Sequence, residues 1–147
     1  VQFEWLKQEL AKAYADPNRR FSFVFSHRPI YSCICGNIDE GTLRALGPLF
    51  RQYDVSAGFA GHNHFYARLE VSKKPWLVSG GGGAPFLPFV EDPDCLPSMI
   101  RANGDDITII KYDWRVHFLL VEVGENYFTI KAIDSEGDTF DTITYKK

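Results

Sequence analysis

Apolar residues recur along the first fifteen positions at a spacing near 3.6: Phe3, Leu6, Leu10, Ala13 and Tyr14 share one face, while Glu4, Lys7, Gln8 and Lys12 fall outside it. This predicts an amphipathic helix ended by Asp16-Pro17-Asn18, because proline has no amide hydrogen with which to continue the ladder. Residues 21–25 form a short aromatic and β-branched run with little alternation, which predicts a strand covered on both faces. Pro29 and Gly36-Asn37 punctuate a loop that runs to Gly41. Leu43, Leu46, Leu49, Phe50 and Tyr53 return to helical spacing, and Gly47-Pro48 predicts either a kink or two short helices with Pro48 in the first turn of the second. Residues 55–60 make a second short apolar run, in which Ser56, Ala57 and Gly58 are small enough for close packing.

Helix, strand, helix, strand in that order predicts parallel strands joined by a crossover helix. Beyond residue 64 the helical period does not return. Residues 65–71 and 76–79 predict two strands about a turn at 72–75, and a long irregular segment rich in proline and acid follows to about Asp106, with one helical turn expected around 97–101. Residues 114–123, 127–133 and 139–145, separated by turn sequences, predict an antiparallel meander. The fold class is α/β, bordering on α+β, in a single domain spanning 1–147.

Composition agrees with one sizeable core: 147 residues, 45% hydrophobic and 15% aromatic. Sixteen basic against nineteen acidic residues leave a net charge of -3, which provides no field for gathering nucleic acid or an anionic membrane surface. An anionic substrate would need a local positive centre such as a metal. No run approaches the roughly 20 apolar residues that cross a bilayer, so no membrane partner is expected. The only methionine is Met99 and Val1 leads almost directly into a helix, so the parent protein is expected to extend upstream. Cys33, Cys35 and Cys95 are odd in number; Cys33 and Cys35 are too close for an easy bridge, although either could reach Cys95. With no Cys-x-x-Cys spacing, thiols are expected here rather than a zinc site.

The chemistry gathers around Gly61-His62-Asn63-His64, just after the second apolar run, and His27, at the carboxyl end of the first. In open α/β sheets the ligand crevice lies outside the carboxyl ends of the strands. Neutral imidazole is the commonest metal ligand among side chains. An extended segment would turn His62 and His64 to one site and Asn63 away from it, with Gly61 providing a backbone path that a Cβ would obstruct. A His-x-His pair alone more often belongs to exposed or core histidines, but the arrival of His27 at the same sheet edge reverses that preference. His117 sits within a strand and is expected to be a surface or interlayer histidine. The run from Gly80 to Gly83 lacks the Lys-Ser/Thr of a phosphate-binding loop and is expected to be a tight backbone path near the site. Asp92, Asp94, Asp105 and Asp106 are expected to be solvated loop carboxylates.

Two motifs then stand out: Phe25-Ser26-His27-Arg28-Pro29-Ile30-Tyr31-Ser32, containing His-x-Pro, and Gly61-His62-Asn63-His64-Phe65-Tyr66-Ala67-Arg68, a Gly-His-x-His with a trailing Tyr-x-Arg. With Gln2-Phe3-Glu4-Trp5-Leu6, Pro48-Leu49-Phe50, Ser79-Gly80-Gly81-Gly82-Gly83-Ala84 and the strands around His117 and Ile133, nearly the whole chain resembles the C-terminal half of the calcineurin-like metallophosphoesterase family, most closely its purple acid phosphatase-like members. The resemblance implies half of a four-layer sandwich. It also implies two divalent or trivalent metal ions (Fe, Zn, Mn or similar), and hydrolysis of phosphate monoesters by metal-bridged hydroxide attack. Carried over residue by residue, His27 and His62 bind one metal and His64 the other, with Asn63, Tyr66 and Arg68 behind the ligands or at the pocket rim.

The family also places an Asp-x-His and a Gly-Asn-His-Asp/Glu motif upstream, and this chain contains no Asp-x-His, Asn-His-Asp or Asn-His-Glu. No residue here is therefore expected to be catalytic, and three ligands are present where a dinuclear site needs about twice as many. The expectation is a phosphatase fragment that alone is inactive and holds at most one weakly bound metal. Its partners would be a phosphate ester and either the N-terminal half or a second copy docked on exposed sheet. The alternative is a non-catalytic metal-binding or interaction module on the same scaffold.

Overall fold

The computed structural model describes residues 2–33, 40–86 and 104–147. Helix α1 (Gln2–Ala15) forms where the apolar stripe places it, but its inward face is narrow: Leu10 is buried and Leu6 packs partly against the core, while Trp5 and Tyr14 stay exposed. The chain continues through β1 (Phe23–Ser26), α2 (Glu40–Gln52), β2 (Ala57–Ala60), β3 (Tyr66–Val71), β4 (Lys74–Ser79) and β5 (Ile107–Asp113). It then runs through β6 (His117–Val123), β7 (Tyr127–Asp134) and β8 (Thr139–Lys146). Of the two alternatives for α2, the structure has one helix with Pro48 inside it, anchored to the sheet through Leu43, Leu49 and Phe50.

Five strands form one sheet in the order β1-β2-β4-β3-β5. The crossover through α2 makes β1 and β2 parallel, and β4 is parallel to β2, whereas β3 runs antiparallel to both β4 and β5. Ser72 and Lys73 alone make the β3–β4 turn, both in the left-handed region at φ 49 and 66, as a hairpin turn that matches strand twist requires. Lys74 and Pro75, expected in that turn, open β4 instead. Pro75 is tolerated because β2 pairs with β4 only from Trp76 onward, so its missing amide hydrogen breaks no ladder there.

Three sequence expectations are corrected. First, β1 is an edge strand that is not covered on both faces: Phe25 is 75% exposed, while Phe23 packs towards the second sheet and Val24 towards the helices. Second, β5 occupies residues to which the apolar pattern assigned no element, since its alternation is short and the β3 register shifts opposite it, between Arg68 and Leu69. Third, β6 begins at His117 rather than Trp114, because residues 114–116 carry the chain from one sheet to the other. The helical turn expected at 97–101 lies outside the described residues, as do Cys35 and Cys95; Cys33 is buried.

The meander β6-β7-β8 forms a second, antiparallel sheet. The Asp134 carboxylate shapes its last turn by accepting the amide hydrogens of Glu136 and Asp138. One apolar layer lies between the helices and the first sheet, around Leu43, Phe50, Leu69, Trp76 and Val78. The other lies between the sheets, around Phe59, Tyr66, Leu77, Phe128 and Ile130, with Phe21 and Phe23 meeting Phe128 edge-on at 5.0 and 5.1 Å. Gly58 lets the Trp76 ring lie against β2, where a Cβ would come within 2.0 Å of it. Among the described residues no helix is long and apolar enough to cross a membrane.

One polar cluster crosses the interlayer. Asp141 of β8 accepts the Tyr66 hydroxyl at 2.7 Å and the Arg68 guanidinium twice, at 2.7 and 3.1 Å. Burial works to raise the Asp141 carboxyl, but the hydrogen bonds from Arg68 and Tyr66 and the Arg68 charge outweigh it and hold the carboxyl below its ordinary value. A depressed folded pKa stabilises above the unfolded value, about 3.9, and that contribution fades as pH falls through the folded one. Asp141→Asn is expected to cost roughly 2–4 kcal/mol at pH 7. In denaturant titrations its deficit relative to the unmutated chain should shrink below about pH 4; a deficit constant to pH 2 would refute the charge-based account.

Candidate metal centre

The site follows from the β1–β2 register. Phe23 pairs with Ala57 and Ser26 with Ala60, and one step further the Gly61 amide donates to the His27 carbonyl at 3.1 Å. Both connections therefore leave the sheet at one level. His27 Nε2 and His62 Nδ1 stand 3.2 Å apart, with their rings at 75°. His27 is exposed, and His62 and His64 are half-buried.

Residues 61–65 are not extended. His62 adopts a left-handed φ of 64, the Asn63 amide donates to the Gly61 carbonyl at 2.7 Å, and the Phe65 amide to the Asn63 carbonyl at 2.8 Å. The alternation expected of a strand therefore fails here: His62 turns to His27, while His64 Nδ1 lies 2.9 Å from the Pro85 carbonyl. Gly61 is not where a Cβ would obstruct, since one built there meets the His27 carbonyl at an ordinary 3.8 Å. The tight residues are Gly80, whose Cβ would come within 2.0 Å of the Asn63 carbonyl oxygen, and Gly81, whose Cβ would come within 2.3 Å of His117 Nδ1. Gly80 and Gly81 are thus the close backbone path expected of the glycine run, whereas a Cβ at Gly82 or Gly83 would meet nothing within 4 Å.

Asn63 is fully buried and donates its side-chain amide to Ser32 Oγ at 2.8 Å, so it ties the two sequence motifs together behind the histidines. Tyr66 and Arg68 direct their polar atoms to Asp141 between the sheets. Asp105, expected to be a solvated loop carboxylate, is instead 1% exposed and accepts the Tyr31 hydroxyl and the Arg51 guanidinium. His117 is an interlayer histidine, 5% exposed. Ser32 lies within the first motif, but neither its bond to Asn63 nor the Pro85 carbonyl contact is legible in sequence, because each joins distant segments.

The donors suit a cation in part. Two imidazole nitrogens on one tetrahedral zinc, each about 2.0–2.1 Å from it, would stand about 3.3 Å apart, close to the observed 3.2 Å. A carbonyl only accepts, so His64 carries a hydrogen on Nδ1, which leaves Nε2 as the nitrogen through which a neutral ring would ligate, the arrangement that outer hydrogen bonds give metal-binding histidines. Burial, and then the charges of Arg28, His27 and His64, hold the His62 imidazole below its ordinary pKa and favour the neutral, ligating form. Among the described residues, however, no group of three or more His, Cys, Asp or Glu side chains could together hold an ion. His27 and His62 fit one cation; the carboxylates of a two-metal site are not among the described residues. A cleft of about 300 Å³ lined by Phe25, Phe59, Leu119 and Val121 opens beside the pair and reaches Ser26 and Gly61.

No protein-family model matches the chain. It is 27% identical over 139 residues to the tartrate-resistant acid phosphatase type 5 of Rattus norvegicus, covering 93% of this chain and 39% of that protein. Over 87 residues it is 37% identical to a purple acid phosphatase of Glycine max, covering 57% of this chain and 18% of that one. A 68-residue stretch, 46% of this chain, is 37% identical to an acid phosphatase of Aspergillus ficuum and covers 11% of it. Among solved structures, a purple acid phosphatase from yellow lupin seeds superposes on 99% of this chain and 28% of its own, with a TM-score of 0.76 at 17% identity. GAP50 of Plasmodium superposes on 98% of this chain and 41% of its own, with a TM-score of 0.77 at 17% identity.

The helix-strand-helix-strand order followed by an antiparallel meander is the half-sandwich that the sequence resemblance implies. In sequence and fold the chain resembles the calcineurin-like metallophosphoesterases, in particular their purple acid phosphatase-like members. It spans well under half the length of the curated relatives it matches.

Gly80→Ala is expected to cost about 1–3 kcal/mol, because the Asn63 backbone has nowhere to move. Gly82→Ala, whose Cβ would meet nothing within 4 Å, should stay within about 0.5 kcal/mol of the unmutated chain. Urea denaturation of the two variants measures the contrast, and equal values would contradict the packing described.

Proposed function

We propose that this chain is the histidine-bearing part of a phosphatase that hydrolyses phosphate monoesters at two metal ions. The observation that carries the reading is the 3.2 Å pair of His27 and His62 nitrogens at the carboxyl edge of two parallel strands. In the assembled site His27 and His62 hold one ion and His64 the other, and Asn63 fixes the loop between them from behind. Ions of this kind act as Lewis acids towards phosphate oxygens and neutralise their charge. The chain's own residues bind and orient: His62, its pKa lowered by burial and by the charges around it, presents a neutral nitrogen, and Arg28 adds positive charge beside it.

The carboxylate ligands come from polypeptide outside these 147 residues. The isolated chain then holds at most one weakly bound ion and does not turn over substrate. The exposed side of β1 and the adjacent apolar cleft are where that polypeptide, or failing it a second copy, would dock. A non-catalytic scaffold is the second reading, favoured by one observation: the same fold occurs in GAP50, described as the anchor in the inner membrane complex of Plasmodium.

Calorimetric titration of the chain with Zn²⁺ should give one weak site, and His62→Ala should weaken it tenfold or more. Tight binding of two ions would defeat the argument that ligands are missing. Phosphatase activity towards p-nitrophenyl phosphate in a longer product, abolished by His62→Ala, is expected of the enzyme; activity indifferent to that substitution would favour the scaffold.

A further inference from the structure

His117 stands in the other sheet but touches the glycine run that packs behind the 61–65 loop. Its backbone amide donates to the Gly81 carbonyl at 3.1 Å, and its ring fills the space beside Gly81 that a Cβ would occupy. The ring itself is fixed at both nitrogens. Nδ1 lies 2.7 Å from the Arg115 carbonyl, which only accepts, so Nδ1 carries the hydrogen; Nε2 therefore accepts the Ser79 hydroxyl at 3.0 Å. Tyr66 and Phe140 close on it edge-on, with ring centroids at 5.4 and 5.8 Å. A side chain 5% exposed, with both nitrogens engaged and two aromatic neighbours, holds one orientation.

Gly81 adjoins Gly80, which presses directly on the Asn63 carbonyl and donates its amide to the Phe65 carbonyl at 3.1 Å. Ser32 Oγ accepts the Asn63 side-chain amide. The residues that flank Asn63 are His62 and His64. A contact path of backbone and fixed side chains therefore runs from β6 through Gly81 and Gly80 to the middle of the histidine loop, and no link in it is a flexible side chain.

We propose that His117 is a positioning residue for the histidine pair: from the second sheet, through Gly81 and Gly80, it sets the height and tilt of the 61–65 loop and thereby the separation of His62 from His27. The inference rests on the metal-site reading for its consequence but not for its geometry.

The test compares His117→Ala with Ile130→Val, a change in the same sheet that destabilises the interlayer core without touching the path. Each is measured by Co²⁺ titration, with the absorption spectrum recorded, and, without metal, by ¹⁵N NMR of the His27 and His62 ring nitrogens. His117→Ala is expected to weaken Co²⁺ binding roughly tenfold, at the low end of what residues supporting metal ligands cost. In the metal-free chain it should shift both ring-nitrogen resonances, and Ile130→Val should leave affinity and resonances in place. Resonances unmoved by His117→Ala, or moved equally by Ile130→Val, overturn the proposal. If the unmutated chain binds no Co²⁺ while His117→Ala still moves the resonances, the positioning role stands and the metal-site reading falls.

Discussion

Parallel pairing of β1 with β2 is the constraint from which the rest of this site follows. β1 is four residues long, yet its register is strongly specified because alternate side chains enter different layers: Phe23 goes between the sheets and Val24 against the helices. A slip of one residue would exchange those layers, placing Phe23 under the helices and Val24 between the sheets. The packing that selects the register also sets His27 and His62 at one level, since the hydrogen bond from Gly61 to His27 extends the same ladder. The relative height of the two histidines is a consequence of core packing several residues away.

Buried polar groups divide the work in a consistent way. Ser32, Asn63, Asp105 and His117 are buried, and each lies on a loop or at a strand end, where it joins segments distant in sequence. An unpaired buried polar group costs about 1–3 kcal/mol, so each such pair fixes its loop more sharply than apolar contact would. Asp141 does the same between the sheets, with Tyr66 and Arg68 as its partners. Strands supply the frame, and these few pairs decide how the loops hang from it.

Much of this was legible in the sequence, for identifiable reasons. The 3.6-residue stripe of the first helix, the short apolar runs ending in His27 and Gly61, and the turn residues of the meander are local signals, and each corresponds to an element in place. The Phe25–Ser32 and Gly61–Arg68 motifs carry the family resemblance in local sequence alone. What escaped reading depends on contacts between distant segments. The left-handed backbone of His62 replaced the expected alternation, β5 became a strand by pairing with β3, and Phe25 lies at an edge that no local pattern reveals. Asp105 looks like an ordinary loop acid until Tyr31 and Arg51, more than fifty positions away, close on it.

His62 itself carries a further consequence. Its φ of 64 lies where a side chain costs on the order of 1 kcal/mol relative to glycine, and the two tight turns that follow depend on that conformation. Backbone and side chain therefore ask for different amino acids at one position: the backbone is best served by glycine, and the imidazole facing His27 is supplied only by histidine. A population of this chain selected for thermal stability alone would be drawn to discard the imidazole, and keeping it requires a demand that stability does not make.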